Sequence, residues 1–140
     1  MLVLDTDHLG EFDDASAAGA RLNELLLDSR EELAATIVSV EEQLRGWLAQ
    51  IHRLHADPYA QIPVYARLQR RLEFYADWTV LPWDARSAEM FSDLRRQSVR
   101  IGSMDLKIAC IVLAYDATLL TRNATDFSKV PSLRFENWLD

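Results

Sequence analysis

One cysteine, four glycines, four prolines and three histidines are spread over 140 residues, and these scarcities exclude several kinds of chemistry. The lone Cys110 permits no internal disulfide. It lies in an apolar helical stretch and reads as a packing residue, and such sparse cysteine usage fits a reducing, cytoplasmic setting. Four glycines leave little room for a glycine-rich phosphate-binding loop. His52 and His55 stand at an i, i+3 spacing that suits zinc, but two ligands with no cysteine or further histidine nearby do not make a site, so they read as a solvated helix face. No Ser–His or Cys–His spacing suggests an activated nucleophile. No apolar run approaches the roughly 20 residues of a transmembrane helix, so no membrane association is expected. The strand-like opening lacks a basic region, and no signal peptide is expected there. Internal repeats, low-complexity tracts and linkers are also missing, so residues 1–140 read as one domain.

What is present is a sizeable core, with 49% apolar residues, and a net charge of −7 that is unevenly placed. Residues 1–42 hold 11 acids and 2 bases, whereas residues 43–140 hold 11 acids and 13 bases. An acidic balance argues against general nucleic-acid binding, and no direct DNA binding is expected for this chain alone. The arginine clusters Arg67, Arg70, Arg71 and Arg95, Arg96, Arg100 read either as solvated helix faces or as a basic rim that guides RNA phosphates. Trp47, Trp78, Trp83 and Trp138 read as core or interface anchors.

Short apolar runs alternate with longer helical ones. Strands are expected at Met1–Leu4, Ala35–Val38, Thr79–Pro82, Thr118–Leu120 and, on an edge, Leu133–Phe135. Helices are expected at Ala15–Leu27, Val40–Leu54, Val64–Ala76, Ala85–Gln97 capped by Asp84, and Met104–Tyr115 capped by Ser103. Asp57-Pro58 reads as a break. Strands alternating with helices imply an α/β fold, a three-layer α/β/α sandwich around a mainly parallel sheet of about four to five strands.

Four acids mark the edges of these apolar elements. Asp5 ends Met1–Leu4, Glu42 follows Thr36–Val40, Asp105 opens Leu106–Ala114, and Asp126 follows Thr118–Thr121. A parallel sheet gathers the C-terminal ends of its strands along one edge, so these carboxylates can converge on one crevice. Crowded carboxylates repel unless a cation neutralises them, and Mg²⁺ and Mn²⁺ favour oxygen ligands. The spacing therefore suggests a metal site acting on phosphate esters. Each acid also has a purely structural reading. Asp5 can be a turn former, Glu42 and Asp105 can serve helix N-termini through the dipole, and Asp126 can cap a short turn.

Leu4-Asp5-Thr6-Asp7 resembles the opening L-D-T-[N/D] of PIN-domain ribonucleases, in particular the VapC toxins of bacterial toxin–antitoxin pairs. Ser39-Val40-Glu41-Glu42-Gln43-Leu44-Arg45-Gly46 is similar to their second motif, whose spacing selects Glu42 over Glu41. Asp105-Leu106-Lys107-Ile108-Ala109 resembles their D-x-x-I-A helix. Thr121-Arg122-Asn123-Ala124-Thr125-Asp126-Phe127 resembles T-x-N-x-x-D-F, and Glu136-Asn137-Trp138 resembles the usual ending. The resemblance covers the whole chain in order. Gln43 departs from it where an apolar residue is usual, and Asp7 stands in place of the commoner Asn. The fourth acid falls at the Asn123 place in some relatives and at the Asp126 place in others; here Asn123 offers only a neutral carbonyl oxygen.

The resemblance implies a Mg²⁺- or Mn²⁺-dependent endoribonuclease, the toxin of a VapBC-type pair, with a VapB-like antitoxin and RNA as partners and a homodimer as assembly. It implies Asp5, Glu42, Asp105 and Asp126 as catalytic metal ligands. Thr6, Asp7, Ser39, Ser103, Thr121 and Asn123 are supporting groups around them, the three hydroxyls Ser39, Ser103 and Thr121 being expected to orient carboxylates. The alternatives are a haloacid-dehalogenase-like phosphohydrolase with Asp5 of Asp5-Thr6-Asp7 as nucleophile, and a non-catalytic PIN-like partner-binding module.

Overall fold

The computed structural model describes residues 1–13 and 16–140. The described residues form five strands, β1 (Leu2–Leu4), β2 (Leu33–Thr36), β3 (Thr79–Leu81), β4 (Thr118–Leu120) and β5 (Arg134–Glu136). They also form seven helices, α1 (Thr6–Asp13), α2 (Ala17–Ser29), α3 (Ile37–Arg53), α4 (Pro58–Ala76), α5 (Ala85–Arg96), α6 (Ser103–Ala114) and α7 (Ala124–Phe127). The strands make one all-parallel sheet in the order β3-β2-β1-β4-β5. β1 is central, and its Leu2 pairs with Leu33 on one side and Thr118 on the other. The chain leaves β1 toward β2 and later returns across it to β4. The order therefore reverses beside β1 and β4, where an open α/β sheet forms a crevice outside the carboxyl ends of its strands.

The central strands are apolar on both faces because helices cover both. Val3, Ala34 and Leu119 point into one layer and pack with Leu94, Leu106, Ile108, Ile111 and Val112 of α5 and α6. Leu2, Leu4, Ala35 and Leu120 point the other way and pack with Leu9 of α1, Leu22 and Leu26 of α2 and Tyr75 of α4. Cys110 is buried in the first layer, and burial pushes its thiol up to about 11. Among the described residues no helix is long and apolar enough to cross a membrane.

Several elements differ from their expected bounds. β2 ends at Thr36 and α3 begins at Ile37, whereas Ile37 and Val38 read as strand by their β-branched side chains. The Thr36 hydroxyl accepts the Ser39 N–H (3.1 Å) and caps α3 at once, so local capping overrides propensity. α4 begins six residues before the expected Val64. Asp57 caps it through the Ala60 N–H with Pro58 in the first turn, and Pro63 sits inside the helix. α1, directly after Asp5, was not expected, and Ala15, the expected start of the next helix, lies outside the described residues. Asp84 caps α5 through Ser87 as expected. Ser103 does not cap α6: the cap is Gly102, and the Ser103 hydroxyl instead receives Arg95 Nη2 (3.3 Å). β5 lies on the sheet edge, one residue later than expected.

Leu106, fully buried where α6 packs on the sheet, tests this layer. Leu106→Ala should lower unfolding free energy by about 2–5 kcal/mol in urea titration; a loss well under about 1 kcal/mol would mean that α6 is not packed as described.

Candidate active site

Asp5, Thr6, Asp7, Glu42, Asp105 and Asn123 line one crevice of about 210 Å³, with Ile108 and Phe127 as its apolar floor. Each polar group arrives on a different element. Asp5 follows the central strand, and its N–H still bonds Leu120 O (3.0 Å). Thr6 and Asp7 open α1, Glu42 lies in the second turn of α3, Asp105 is the third residue of α6, and Asn123 precedes α7. Glu42 is too far along α3 to serve its N-terminus, which removes the dipole reading. Its neighbour Glu41 points elsewhere and pairs with Arg45 (2.5 Å).

The charges repel. Burial first, then Asp105 and Asp5, raise the Glu42 carboxyl above its ordinary range. Burial first, then Asp126 and Asp5, raise Asp105, against a lowering contribution from the Asn123 side chain. Asn123 is central to this balance, since its Nδ2 donates to Asp105 Oδ2 (3.3 Å) and to Asp126 Oδ2 (3.0 Å). Asp126 stands beside the crevice without lining it. It lies inside α7 and does not cap that helix; Asn123 is the cap. The Asn123 bond, and then Lys129 at 3.5 Å, hold its carboxyl below the usual range.

Two oxygens in this region are buried with no hydrogen-bond partner, Glu42 Oε1 and Thr6 Oγ1. Buried polar atoms are normally satisfied, so orphaned oxygens in an all-oxygen crevice fit a hard divalent cation. Among the described residues no group of three or more His, Cys, Asp or Glu side chains is set in chelating geometry as it stands.

The hydroxyls expected to orient carboxylates are used otherwise. Ser39 is buried and bonds Thr36 within the α3 cap (3.4 Å between hydroxyls). Thr121 Oγ1 accepts the Asn123 N–H (3.0 Å) and so supports Asn123. Ser103 faces Arg95. Arg95 is not a rim residue either: Nη1 donates to Val99 O and Ile101 O and closes the α5–α6 connection. Arg96 pairs with Asp93. The unusual Gln43 accepts the Tyr75 hydroxyl (2.5 Å), which explains a polar residue there. His52 and His55 stack on each other at the surface (5.8 Å). Trp78, Trp83 and Trp138 pack against the two core layers, while Trp47 lines a groove beside Glu42.

His8 is the residue the sequence reading passed over. It is completely buried, its N–H donates to Asp5 Oδ1 (2.9 Å), and its Nδ1 lies 3.1 Å from the same oxygen. Its Nε2 accepts the Trp138 N–H (3.3 Å), so the ring proton sits on Nδ1 and is donated to Asp5. The only sequence signal was its place three residues after a strand-ending Asp, where a capped helix offers its N–H.

The raised carboxyls carry a sign that can be measured. Between its ordinary and raised values such a group binds more protons in the folded chain than in the unfolded one, so its contribution to stability is lost as pH rises through that window. Without divalent ions and with a chelator present, Glu42→Gln should therefore melt higher than the parent at pH 7, with the gap closing toward pH 4. Thermal unfolding of the pair across that range checks it; a Glu42→Gln protein that melts lower at pH 7 contradicts the repulsion.

No family model matches the chain. It is 40% identical over 50 residues to ribonuclease VapC2 of Rickettsia felis, covering 36% of this chain and 37% of that one. It is 38% identical over 45 residues to ribonuclease VapC1 of Haemophilus influenzae, covering 32% and 34%. The matched stretch thus spans about a third of either relative. Likeness of fold runs the full length: FitAcB from Neisseria gonorrhoeae aligns with a TM-score of 0.74 at 20% identity over 99% of this chain and 98% of that one. VapBC2 from Rickettsia felis bound to a DNA fragment from its promoter aligns with a TM-score of 0.72 at 22% identity over 98% of each. In architecture this chain has a PIN-like fold, similar to those solved structures, and over about a third of its length its sequence is similar to ribonucleases VapC2 and VapC1.

Proposed function

We propose that the chain is a Mg²⁺- or Mn²⁺-dependent endoribonuclease and the toxin of a VapBC-type pair. The observation that carries the reading is the convergence of Asp5, Glu42 and Asp105 on one crevice where Glu42 Oε1 and Thr6 Oγ1 lie buried and unpartnered. The names of the curated relatives, ribonuclease VapC2 and VapC1, support the same activity.

Asp5, Glu42 and Asp105 would hold the ion, with Thr6 and Asp7 beside them. A divalent ion there would supply charge neutralisation for a phosphodiester and acidify water near neutral pH. The chain's own part is positional. Asn123 draws Asp105 and Asp126 together through one amide, and that amide, then Lys129, favours the ionised form of Asp126. Asp126 therefore acts on the site through Asn123 and contributes negative potential. Ile108 and Phe127 close the floor and limit water. The solved VapBC structures support a VapB-like antitoxin as partner. Leu48, Ile62, Tyr65 and Leu72 on α3 and α4 are each more than half exposed, and an apolar face of that kind suits a partner's hydrophobic segment. The same resemblance implies a homodimer.

Glu42→Gln should abolish RNA cleavage while Glu41→Gln, at a surface pair with Arg45, should retain it within a few-fold; the reverse would displace the site. Saturating Mn²⁺ should raise the melting temperature through binding to the native state, and Asp5→Ala and Asp105→Ala should each lose that shift. A shift that survives in both places the ion elsewhere.

A further inference from the structure

The segment after β5 reaches back to the crevice through one side chain. Leu139 is buried among Leu4, Leu9 and Leu120. Its N–H bonds Asn137 Oδ1 (3.0 Å), and Asp140 accepts Asn137 Nδ2 (2.8 Å) and lies 3.4 Å from Arg122 Nε. This anchored turn presents the Trp138 N–H to His8 Nε2. The opposite ring nitrogen and the His8 N–H both donate to a single oxygen of Asp5. Among the described residues no hydrogen bond reaches the other oxygen, and Asp5 lines the crevice. A carboxylate gripped at one oxygen by two donors cannot swing about its Cβ–Cγ bond without losing both.

We propose that His8 is a positioning residue: it fixes the orientation of the Asp5 carboxylate and ties that orientation to residues 137–140. The inference rests on the reading of the crevice as a metal-dependent hydrolytic site. The chemistry calls for histidine in particular. A neutral imidazole offers one donor and one acceptor on separate nitrogens, which is what a carboxylate on one side and a backbone N–H on the other require. His8 is completely buried and does not itself line the crevice, so its influence passes through Asp5.

The two halves of the link can be cut separately. In His8→Asn the amide nitrogen falls near the place of Nδ1, so the bond to Asp5 is kept and the bond to Trp138 lost. In His8→Gln the amide oxygen reaches the place of Nε2, so the bond to Trp138 is kept and the bond to Asp5 lost. Mn²⁺ affinity by calorimetric titration, and kcat and KM for RNA at saturating Mg²⁺, are measured for both and for the parent. His8→Gln should lose about 10- to 100-fold in Mn²⁺ affinity, the range for groups that orient ligands, with kcat falling and KM for RNA unchanged. His8→Asn should stay within about 3-fold of the parent in both, despite a lower melting temperature. Equal effects of the two substitutions, large or small, overturn the proposal, because loss of packing alone would not separate them. Long-range ¹H–¹⁵N correlation on the parent gives a second readout: a proton on Nδ1 is expected, and a proton on Nε2 overturns it. A parent that binds Mn²⁺ but cuts no RNA sinks the ribonuclease reading while the affinity comparison still decides His8; a parent that binds no Mn²⁺ overturns both.

Discussion

Like charges gathered at the carboxyl edge of the central strand are the constraint on which the rest of this molecule turns. Burial first disfavours charge on Glu42 and Asp105, and the neighbouring acids add to it: Asp105 and Asp5 raise Glu42, and Asp126 and Asp5 raise Asp105. None of Asp5, Glu42 and Asp105 pairs with a cation among the described contacts. Each is held by rigid scaffold instead: Asp5 by the β1–β4 ladder and the buried His8, Glu42 by a helix that starts at the end of β2, and Asp105 by the first turn of α6 and the Asn123 amide. Strain of this kind persists only where surrounding structure over-determines it. The two apolar layers, continuous beneath the crevice, supply that determination.

The acids are also differentiated. Asp126 lies close enough to raise Asp105, yet its own carboxyl is stabilised by an amide on one oxygen and Lys129 near the other. One carboxylate is thus satisfied and fixed while Glu42 retains an oxygen with no partner. The single amide of Asn123 draws this line, because its two hydrogens reach two acids at once and its oxygen caps the short helix that carries one of them.

Much of this was legible in the chain. β1, β3 and β4 stand close to where apolar runs between turn residues place them; for the central β1 and β4 this is because buried parallel strands show as continuous hydrophobic stretches. The convergence of Asp5, Glu42 and Asp105 followed from their places at the edges of apolar elements, Asp5 and Glu42 after strand-like runs and Asp105 at the start of a helical one. What was not legible depended on contacts distant in sequence or on caps that outrank propensity. Ile37 and Val38 look like strand until the Thr36 cap is seen. Pro63 hides the first turn of α4 because the Asp57 cap and Pro58 lie beyond it. Arg95 looks like a rim arginine, but its guanidinium is spent on two loop carbonyls and Ser103. His8 is silent in sequence because one of its partners is 130 residues away.

The junction between β2 and α3 has no loop, since Thr36 ends the strand and caps the helix. Glu42 is therefore placed by rotation about a helix axis, about 100° per residue from a fixed origin, with no slack in which to absorb a change of length. An insertion just after Thr36 would advance the helix by one step and bring Glu41 to the angle Glu42 now occupies. A deletion would bring Gln43 there. The paired glutamates thus make this junction tolerant of a slip in one direction only, a one-sided mechanical redundancy written into two adjacent codons.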